Sequence, residues 1–170
     1  ALADLPAFVR LAGKVGARID VLHAHVGSGV TDKAHWANLF AQLAGQADAI
    51  GTVKAINLGG GLGVPYGDDD EPFDVEALAG ALNESRKQFP QYAVWMEPGR
   101  FMVAEAGVLL TRVSQVVDKL GMRRIGLDAG MNALMRPALY QSKHRIVNLS
   151  RSGEAGDRRV DVVGPICEST

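Results

Sequence analysis

The sequence has a single cysteine among its 170 residues, so Cys167 has no partner for a disulfide within the chain. Neither sign of charge is in excess, because 18 Lys and Arg against 19 Asp and Glu give a formal net charge of −1. Nucleic acids and anionic membranes are bound through basic surfaces, so this balance argues against both as partners. No apolar run approaches the roughly 20 residues that span a bilayer, and the amino terminus lacks a signal-peptide pattern. We therefore expect a cytoplasmic protein.

The first 105 residues alternate between helical patterns and short apolar runs. The helical patterns end at Gly16, at Gly51 and before Pro90, which are residues typical of helix ends. The apolar runs cover residues 19–26, 53–58 and 92–96, and the first is mostly apolar on both alternating faces, as in a buried parallel strand. This alternation predicts an α/β fold with a parallel sheet, whose ligand-binding residues lie at the carboxyl ends of the strands.

Beyond about residue 106 the pattern becomes β-rich. Apolar, β-branched runs cover residues 108–117, 124–127 and 158–163, and the only helical segment predicted between them is 132–140. We therefore predict that a second, β-rich domain begins at residue 106.

Three adjacent glycines, Gly59, Gly60 and Gly61, end the second apolar run. Glycine reaches backbone conformations closed to other residues, and successive free N–H groups can converge on an anion. The Gly-Lys-Ser/Thr of the Walker loop and the spacing of the dinucleotide-binding motif are both absent. A phosphate-binding loop and a simple strand-ending turn both remain open. Ser28, between two glycines after the first run, has the same two interpretations.

Titratable side chains also follow the apolar runs. His23 and His25 share a strand face and could form a core pair, contact a cofactor or bind a metal, with metal the least favoured. Glu97 shares its face with Trp95, so we predict that it points inward and is buried. Its partner would be either Arg100 or a protonated ring nitrogen of a cofactor. The acidic run at residues 68–71 is predicted to be solvated.

The second half offers further candidates. Asp128 ends a short run and could cap a turn. Arg136 and Tyr140 are four residues apart, hence on one helix face, where they could clamp a carboxylate or lie on the surface. Cys167 and Glu168 follow the last apolar run, and a thiol beside a carboxylate could donate a proton or be an inert buried group.

Six motifs, taken together and in this order, resemble those of the diaminopimelate decarboxylases, which are fold-type III pyridoxal-phosphate enzymes. They read His-Val-Gly-Ser-Gly from His25, Gly-Gly-Gly-Leu-Gly-Val-Pro-Tyr from Gly59, Glu-Pro-Gly-Arg-Phe from Glu97, Asp-Ala-Gly-Met-Asn from Asp128, Arg-Pro-Ala-Leu-Tyr from Arg136 and Gly-Pro-Ile-Cys-Glu-Ser from Gly164. The resemblance covers nearly the whole chain. It extends to the ornithine and arginine decarboxylases, although the serine after Cys-Glu and the Arg-Pro-Ala-Leu-Tyr motif favour the diaminopimelate branch.

The resemblance implies that residues 1–105 are the last part of a (β/α)8 barrel and that 106–170 begin the β-rich carboxyl-terminal domain. It implies pyridoxal-phosphate-dependent decarboxylation of meso-2,6-diaminopimelate to L-lysine and CO2, by a homodimer with shared active sites and without a metal. Two other enzymes stay open: a related decarboxylase of another basic amino acid, and a barrel metallohydrolase using His23, His25 and Asp128. A cofactor-binding homologue without enzymatic activity is a third alternative.

The resemblance also implies a role for each site residue. His25 would stack on the cofactor ring, Glu97 would pair with its nitrogen, and Cys167 would be the proton donor in a neighbouring subunit's site. The remaining cofactor residues would be Ser28, Gly59, Gly60, Gly61, Gly99 and Arg100. The substrate residues would be Arg100, Arg136, Tyr140 and Glu168.

Two parts of the family pattern have no counterpart in this sequence. Family members bind the cofactor covalently through a lysine on an early barrel strand, and none of the lysines here stands in a matching context. The family's later tyrosine near the phosphate would fall after Thr170. We therefore expect this chain to be a fragment of a longer enzyme and to be inactive by itself.

Overall fold

The computed structural model describes residues 2–67 and 69–167, which fall into two compact units. The first unit comprises Ala1–Pro65 and Glu71–Ala106, and the second comprises Tyr66–Asp70 and Gly107–Thr170. The short segment after the glycine loop thus belongs to the second unit, although it is flanked in sequence by the first.

The first unit is an alternation of helices and short strands. A 3-10 turn at Leu2–Asp4 precedes them, and their order is α1 (Leu5–Lys14), β1 (Val21–His23), α2 (Lys33–Ile50), β2 (Ala55–Asn57), α3 (Val75–Gln88), β3 (Ala93–Trp95) and α4 (Gly99–Val103). The three strands are parallel and lie side by side in the order β1, β2, β3. The predicted α/β fold with a parallel sheet is therefore present.

Capping residues set the bounds of the two longest helices. The Asp32 carboxylate accepts from the Ala34 N–H at 2.9 Å, and the Asp74 carboxylate accepts from the Ala77 N–H at 2.8 Å. Each such cap typically contributes about 1 kcal/mol. Gly51 ends α2 with a φ of 75°, a conformation that side chains disfavour.

The core lies on one face of this sheet, where α2 and α3 pack. Trp36 and Phe40 from α2 are fully buried, together with Ile56 from β2. The opposite face is open within the part of the chain that the structure describes, and Trp95 is 51% exposed there. The prediction of a strand buried on both faces is therefore wrong for β1, in which no residue is buried, because the helices cover only one face.

The second unit holds a mixed sheet in the order β4 (Val113–Lys119), β5 (Met122–Leu127), β6 (Asp161–Val163). The first pair is antiparallel and the second parallel. A tight turn joins β4 to β5 with positive φ at Leu120 and Gly121, as in hairpin turns whose twist matches the strands. The predicted helix at 132–140 is shorter, α5 (Arg136–Tyr140), and a 3-10 turn covers Leu149–Arg151. Over the described ranges, no helix combines the length and apolar character needed to cross a membrane.

Candidate functional site

Three polar segments meet where the three parallel strands of the first unit end. They surround a cleft of about 250 Å³. Its lining includes the predicted residues His25, Ser28, Gly60, Gly61, Glu97, Gly99 and Arg100, together with Leu62 and Phe101. The structure therefore brings together most of the residues that the sequence assigned to a cofactor, as the geometry of parallel strands requires.

The glycine loop lies in backbone-to-backbone contact with both neighbouring segments. A Cβ at Gly60 would lie 2.2 Å from the carbonyl oxygen of Glu97, and one at Gly61 would lie 2.0 Å from that of Gly27. Non-bonded heavy atoms cannot approach so closely, and Gly61 also has a φ of 105° that side chains rarely adopt. Any side chain at these two positions would push the three segments of the cleft apart.

The backbone of the glycine loop also orients side chains of the site. The Gly60 N–H donates to Nδ1 of His25 at 3.2 Å, and the Gly59 N–H donates to the side-chain oxygen of Asn57 at 2.9 Å. Because Nδ1 of His25 is an acceptor, the neutral ring carries its proton on Nε2. His25 is exposed, as is His23, so neither is the satisfied core histidine that the sequence left open.

Glu97 is held at the open face of the sheet. Asn57 Nδ2–H donates to its Oε1 at 2.7 Å, and Nε2 of His23 lies 3.5 Å from its Oε2. The side chain is 57% exposed, so the prediction that it is buried is wrong. The reason is the uncovered sheet face, and its partners are Asn57 and His23 rather than Arg100. Asn57 is not among the residues predicted from the sequence, although it lies level with His23 and Trp95 across the strands.

Arg100 reaches the segment after β1 from the short helix α4. Its Nη2 donates to the hydroxyl oxygen of Ser28 at 2.5 Å. This contact joins two residues 72 positions apart in the chain. A guanidinium and a hydroxyl therefore lie together in the cleft, where they form an anion-binding combination.

Asp128, in the second unit, joins the residues just before β4 to the end of β5 and does not cap a local turn, since its partners are 16 and 17 positions away. Its carboxylate accepts from the Thr111 hydroxyl at 2.6 Å and from the Arg112 N–H at 2.8 Å. The hydrogen bond from Thr111, followed by the one from Arg112, lowers the pKa of Asp128 below its usual value. Among the described residues, no three His, Cys, Asp or Glu side chains are grouped closely enough to hold a metal.

The two predicted substrate residues on α5 have different surroundings. Arg136 is half-buried and donates to the hydroxyls of Tyr66 and Ser142. Tyr140 is 72% exposed. Helical spacing thus correctly predicts that Arg136 and Tyr140 lie on one helix. It does not predict that one side chain is half-buried and the other exposed.

Two of the recognised motifs of the second unit pack directly on each other. A Cβ at Gly164 would lie 2.5 Å from the Cα of Gly130, and one at Gly130 would lie 2.7 Å from the Cα of Gly164. This contact fixes the start of the segment that leads to Cys167, whose side chain is exposed. Sequence reasoning missed it, although the glycine in each motif was a usable signal. Glu168 lies outside the described residues.

Residues 3–104 match the family model described as pyridoxal-dependent decarboxylase, pyridoxal binding domain. The chain belongs to the pyridoxal-dependent decarboxylase family. The match covers the unit that contains the cleft. The cofactor in the description of the family model is the one that the six motifs implied.

Individual relatives agree with the branch suggested by the motifs. The chain is 38% identical over 177 residues to the diaminopimelate decarboxylase of Escherichia coli K12, covering 98% of this chain and 42% of the relative. A crystal structure of a diaminopimelate decarboxylase superposes with a TM-score of 0.86 at 35% identity, over 98% of this chain and 42% of that one. The Helicobacter pylori diaminopimelate decarboxylase complexed with L-lysine superposes with a TM-score of 0.83 at 31% identity, over 99% and 42%. These findings confirm the resemblance, and the chain spans about 42% of the length of the first relatives.

Proposed function

We propose that this chain is part of a longer diaminopimelate decarboxylase, which converts meso-2,6-diaminopimelate into L-lysine and CO2. The observation that carries the proposal is the cleft at the ends of β1, β2 and β3. There, three of the recognised motifs supply a fixed imidazole, a fixed carboxylate and a guanidinium bonded to a hydroxyl. Similarity to decarboxylases along the chain's whole length supports the choice of substrate.

The chemistry of these donors fits pyridoxal phosphate. In our proposal the phosphate is bound by Ser28 and by the backbone of the glycine loop, Gly59 to Gly61, with Gly99 and Arg100 beside it. The ring lies against His25, and its nitrogen pairs with Glu97. When bound, this cofactor supplies an electron sink for the electron pair that remains after CO2 leaves.

In our proposal the carboxylate of Glu97 keeps the ring nitrogen of the cofactor protonated. This carboxylate suits that task because Asn57 fixes one oxygen and His23 lies beside the other. The Gly59 N–H in turn fixes the Asn57 amide, so the glycine loop supports both the phosphate and the nitrogen ends of the site. Such indirect support is typical of precise catalytic sites.

The remaining roles are substrate binding and proton transfer. We assign substrate binding to Arg100, Arg136, Tyr140 and Glu168, and protonation of the α-carbon to the thiol of Cys167. The exposed position of Cys167 suits a residue that acts in a partner subunit. The proposal thus includes a homodimer in the cytoplasm, with residues 1–105 as the last part of a (β/α)8 barrel and 106–170 as the start of the β-rich domain.

The proposal is tested with the full-length protein that contains this chain, loaded with pyridoxal phosphate. We expect L-lysine and CO2 from meso-diaminopimelate, with kcat/KM at least about 100-fold above that for ornithine, arginine or lysine, because a missing polar group leaves site residues unpaired. Faster turnover of another basic amino acid would instead support the related decarboxylases. Bound zinc in a protein that does not retain pyridoxal phosphate would contradict the proposal and favour the metallohydrolase.

A further inference from the structure

Arg136 is held by an unusual set of partners. Its Nη1 donates to the Tyr66 hydroxyl at 2.7 Å, and its Nη2 donates to the Ser142 hydroxyl at 3.0 Å. The guanidinium carbon also lies 5.3 Å from the centroid of the Tyr66 ring, within the range of a cation–π contact. The guanidinium is therefore oriented by two hydroxyls and an aromatic ring.

Other arginines of the chain are partnered differently. Arg18 and Arg123 each lie 2.7 Å from an aspartate oxygen. Hydrogen bonding to that carboxylate raises the pKa of each of these guanidinium groups. Within the described ranges, by contrast, no carboxylate lies within ion-pair distance of Arg136. Its charge is oriented but is not neutralised by any carboxylate of those described residues.

Arg136 also keeps donors available. A guanidinium has five N–H groups, and only two of them are used by the contacts to Tyr66 and Ser142. An arginine in this condition can bind a carboxylate through a bidentate pair of hydrogen bonds. The hydroxyl partners determine which way its planar group faces.

Tyr66 is itself fixed in place. The Asp70 carboxylate accepts from the backbone N–H groups of Tyr66 at 2.9 Å and of Gly67 at 2.8 Å. These two hydrogen bonds lower the pKa of Asp70. The ring of His144 packs edge-on against the Tyr66 ring, with centroids 5.8 Å apart. The prediction that the acidic run is merely solvated is thus wrong for Asp70, which closes the turn that carries Tyr66.

We propose that Tyr66 is a positioning residue for substrate binding: it holds the unneutralised guanidinium of Arg136 in the orientation that receives a carboxylate of the amino-acid substrate. This inference rests on the proposed function, which makes Arg136 a substrate ligand. Tyr66 itself does not touch the reacting atoms. Its effect should therefore appear in substrate affinity and not in the chemical step.

The test uses the full-length enzyme and two variants of one residue. Tyr66→Phe keeps the ring and removes the hydroxyl, whereas Tyr66→Leu removes both contacts. We expect Tyr66→Phe to raise KM for meso-diaminopimelate about tenfold, since it removes one hydrogen bond to a charged group, and Tyr66→Leu to raise it further. We expect kcat to stay within about twofold and retention of pyridoxal phosphate to be unchanged.

A second measurement does not depend on turnover. The Kd of L-lysine, measured by calorimetry, should rise in parallel with KM in both variants. The matched control is Tyr92→Phe, which removes the hydroxyl of another tyrosine, hydrogen-bonded to Asp48 in the first unit. We expect its KM and lysine Kd to equal those of the wild type, so that an effect of Tyr66→Phe is specific to Arg136.

The outcomes separate this inference from the proposed function. A wild-type enzyme that binds L-lysine without decarboxylating meso-diaminopimelate would contradict the proposed activity, and the lysine Kd of Tyr66→Phe would still decide the inference. Unchanged KM and lysine Kd in Tyr66→Phe would overturn the inference alone. A fall in kcat at constant KM would overturn it as well, because Tyr66 would then act on the chemical step.

Discussion

The two units of the chain differ in what supports their functional residues. Every buried hydrophobic side chain in the described ranges belongs to the first unit, from Trp36 to Tyr92. In the second unit large apolar side chains such as Val116 and Leu139 are more than half exposed. The second unit's site residues are held instead by hydroxyls, carboxylates and a glycine contact.

This difference indicates how each site responds to a local change. A site supported by a close-packed core cannot relax around an added atom without disturbing many contacts. A segment with few buried contacts opens at lower free energy and can move to accommodate the same atom. The cleft at the ends of β1, β2 and β3 should therefore be rigid, and the second unit's segments should be more tolerant.

The largest expected effect is that of Gly61→Ala in the cleft. Its Cβ would lie 2.0 Å from the Gly27 carbonyl oxygen at a φ of 105°, so both a clash and backbone strain oppose it. We expect the free energy of unfolding to fall by about 3 kcal/mol or more, with loss of pyridoxal phosphate binding. Urea unfolding and the absorbance of bound cofactor measure the two effects.

Gly80→Ala is the matched control for that substitution. Gly80 lies inside α3, is exposed, and has no atom within 4 Å of an added Cβ. Because alanine is the better helix former, we expect this variant to gain up to about 1 kcal/mol and to keep its cofactor. If the free energy of unfolding of Gly61→Ala equals that of Gly80→Ala, the cleft is not rigid.

The first unit was also the more predictable of the two. Parallel strands gather their carboxyl ends at one edge, so His25, Ser28 and Glu97 could be placed together from periodicity alone. The exposure of Glu97 could not be predicted in this way. Alternation along a strand indicates which face of the sheet a side chain lies on, but not whether other residues cover that face. In the second unit, Asp70 was predicted to be one of several solvated carboxylates, and only the turn geometry shows which N–H groups it accepts from.

The contacts of the second unit have no comparable sequence signal. Arg136 and Tyr66 are 70 positions apart, and no period links a loop residue to a five-residue helix. The resemblance nevertheless predicts a substrate-binding role for Arg136, and the family assignment on which that prediction depends is confirmed. A motif can therefore single out a residue without indicating its hydrogen-bond partners.

A smaller effect is expected for Gly164→Ala in the second unit. Its Cβ would lie 2.5 Å from the Gly130 Cα, which is also a clash with backbone. Because this unit has few buried contacts to lose, we expect a cost of only about 1–2 kcal/mol in unfolding free energy. The displacement should instead change the alkylation rate of Cys167 by a thiol reagent, measured by mass spectrometry.

The control for Gly164→Ala is Gly153→Ala, which places its Cβ in open space within the same unit. We expect no change in the alkylation rate of Cys167 in that control. A cost for Gly164→Ala that equals the cost for Gly61→Ala would contradict the difference between the two units.

The smallest expected effect is a local loosening of the second unit at low pH. The pKa of Asp128 is lowered in the folded state, chiefly by the hydrogen bond from Thr111 and then by that from the Arg112 N–H. A carboxylate with a depressed folded pKa contributes stability above its unfolded pKa, near 4, and loses that contribution as the pH falls through the folded value. Acid should therefore release the hydrogen bonds of Asp128 to Thr111 and Arg112 below about pH 4, and neutral pH should not.

Hydrogen exchange followed by mass spectrometry can detect this release, with each rate corrected for the pH dependence of intrinsic exchange. Between pH 5 and pH 3 we expect peptides that contain Arg112 to lose protection, while peptides that contain the buried Trp36 in the first unit keep theirs. Asp128→Asn keeps an oxygen acceptor but does not titrate, so it should abolish the pH dependence at Arg112. If Arg112 loses protection equally in Asp128→Asn, a group other than Asp128 causes the loss. If Trp36 loses protection together with Arg112, the two units respond to acid as one. The difference between the units would then not include their sensitivity to pH.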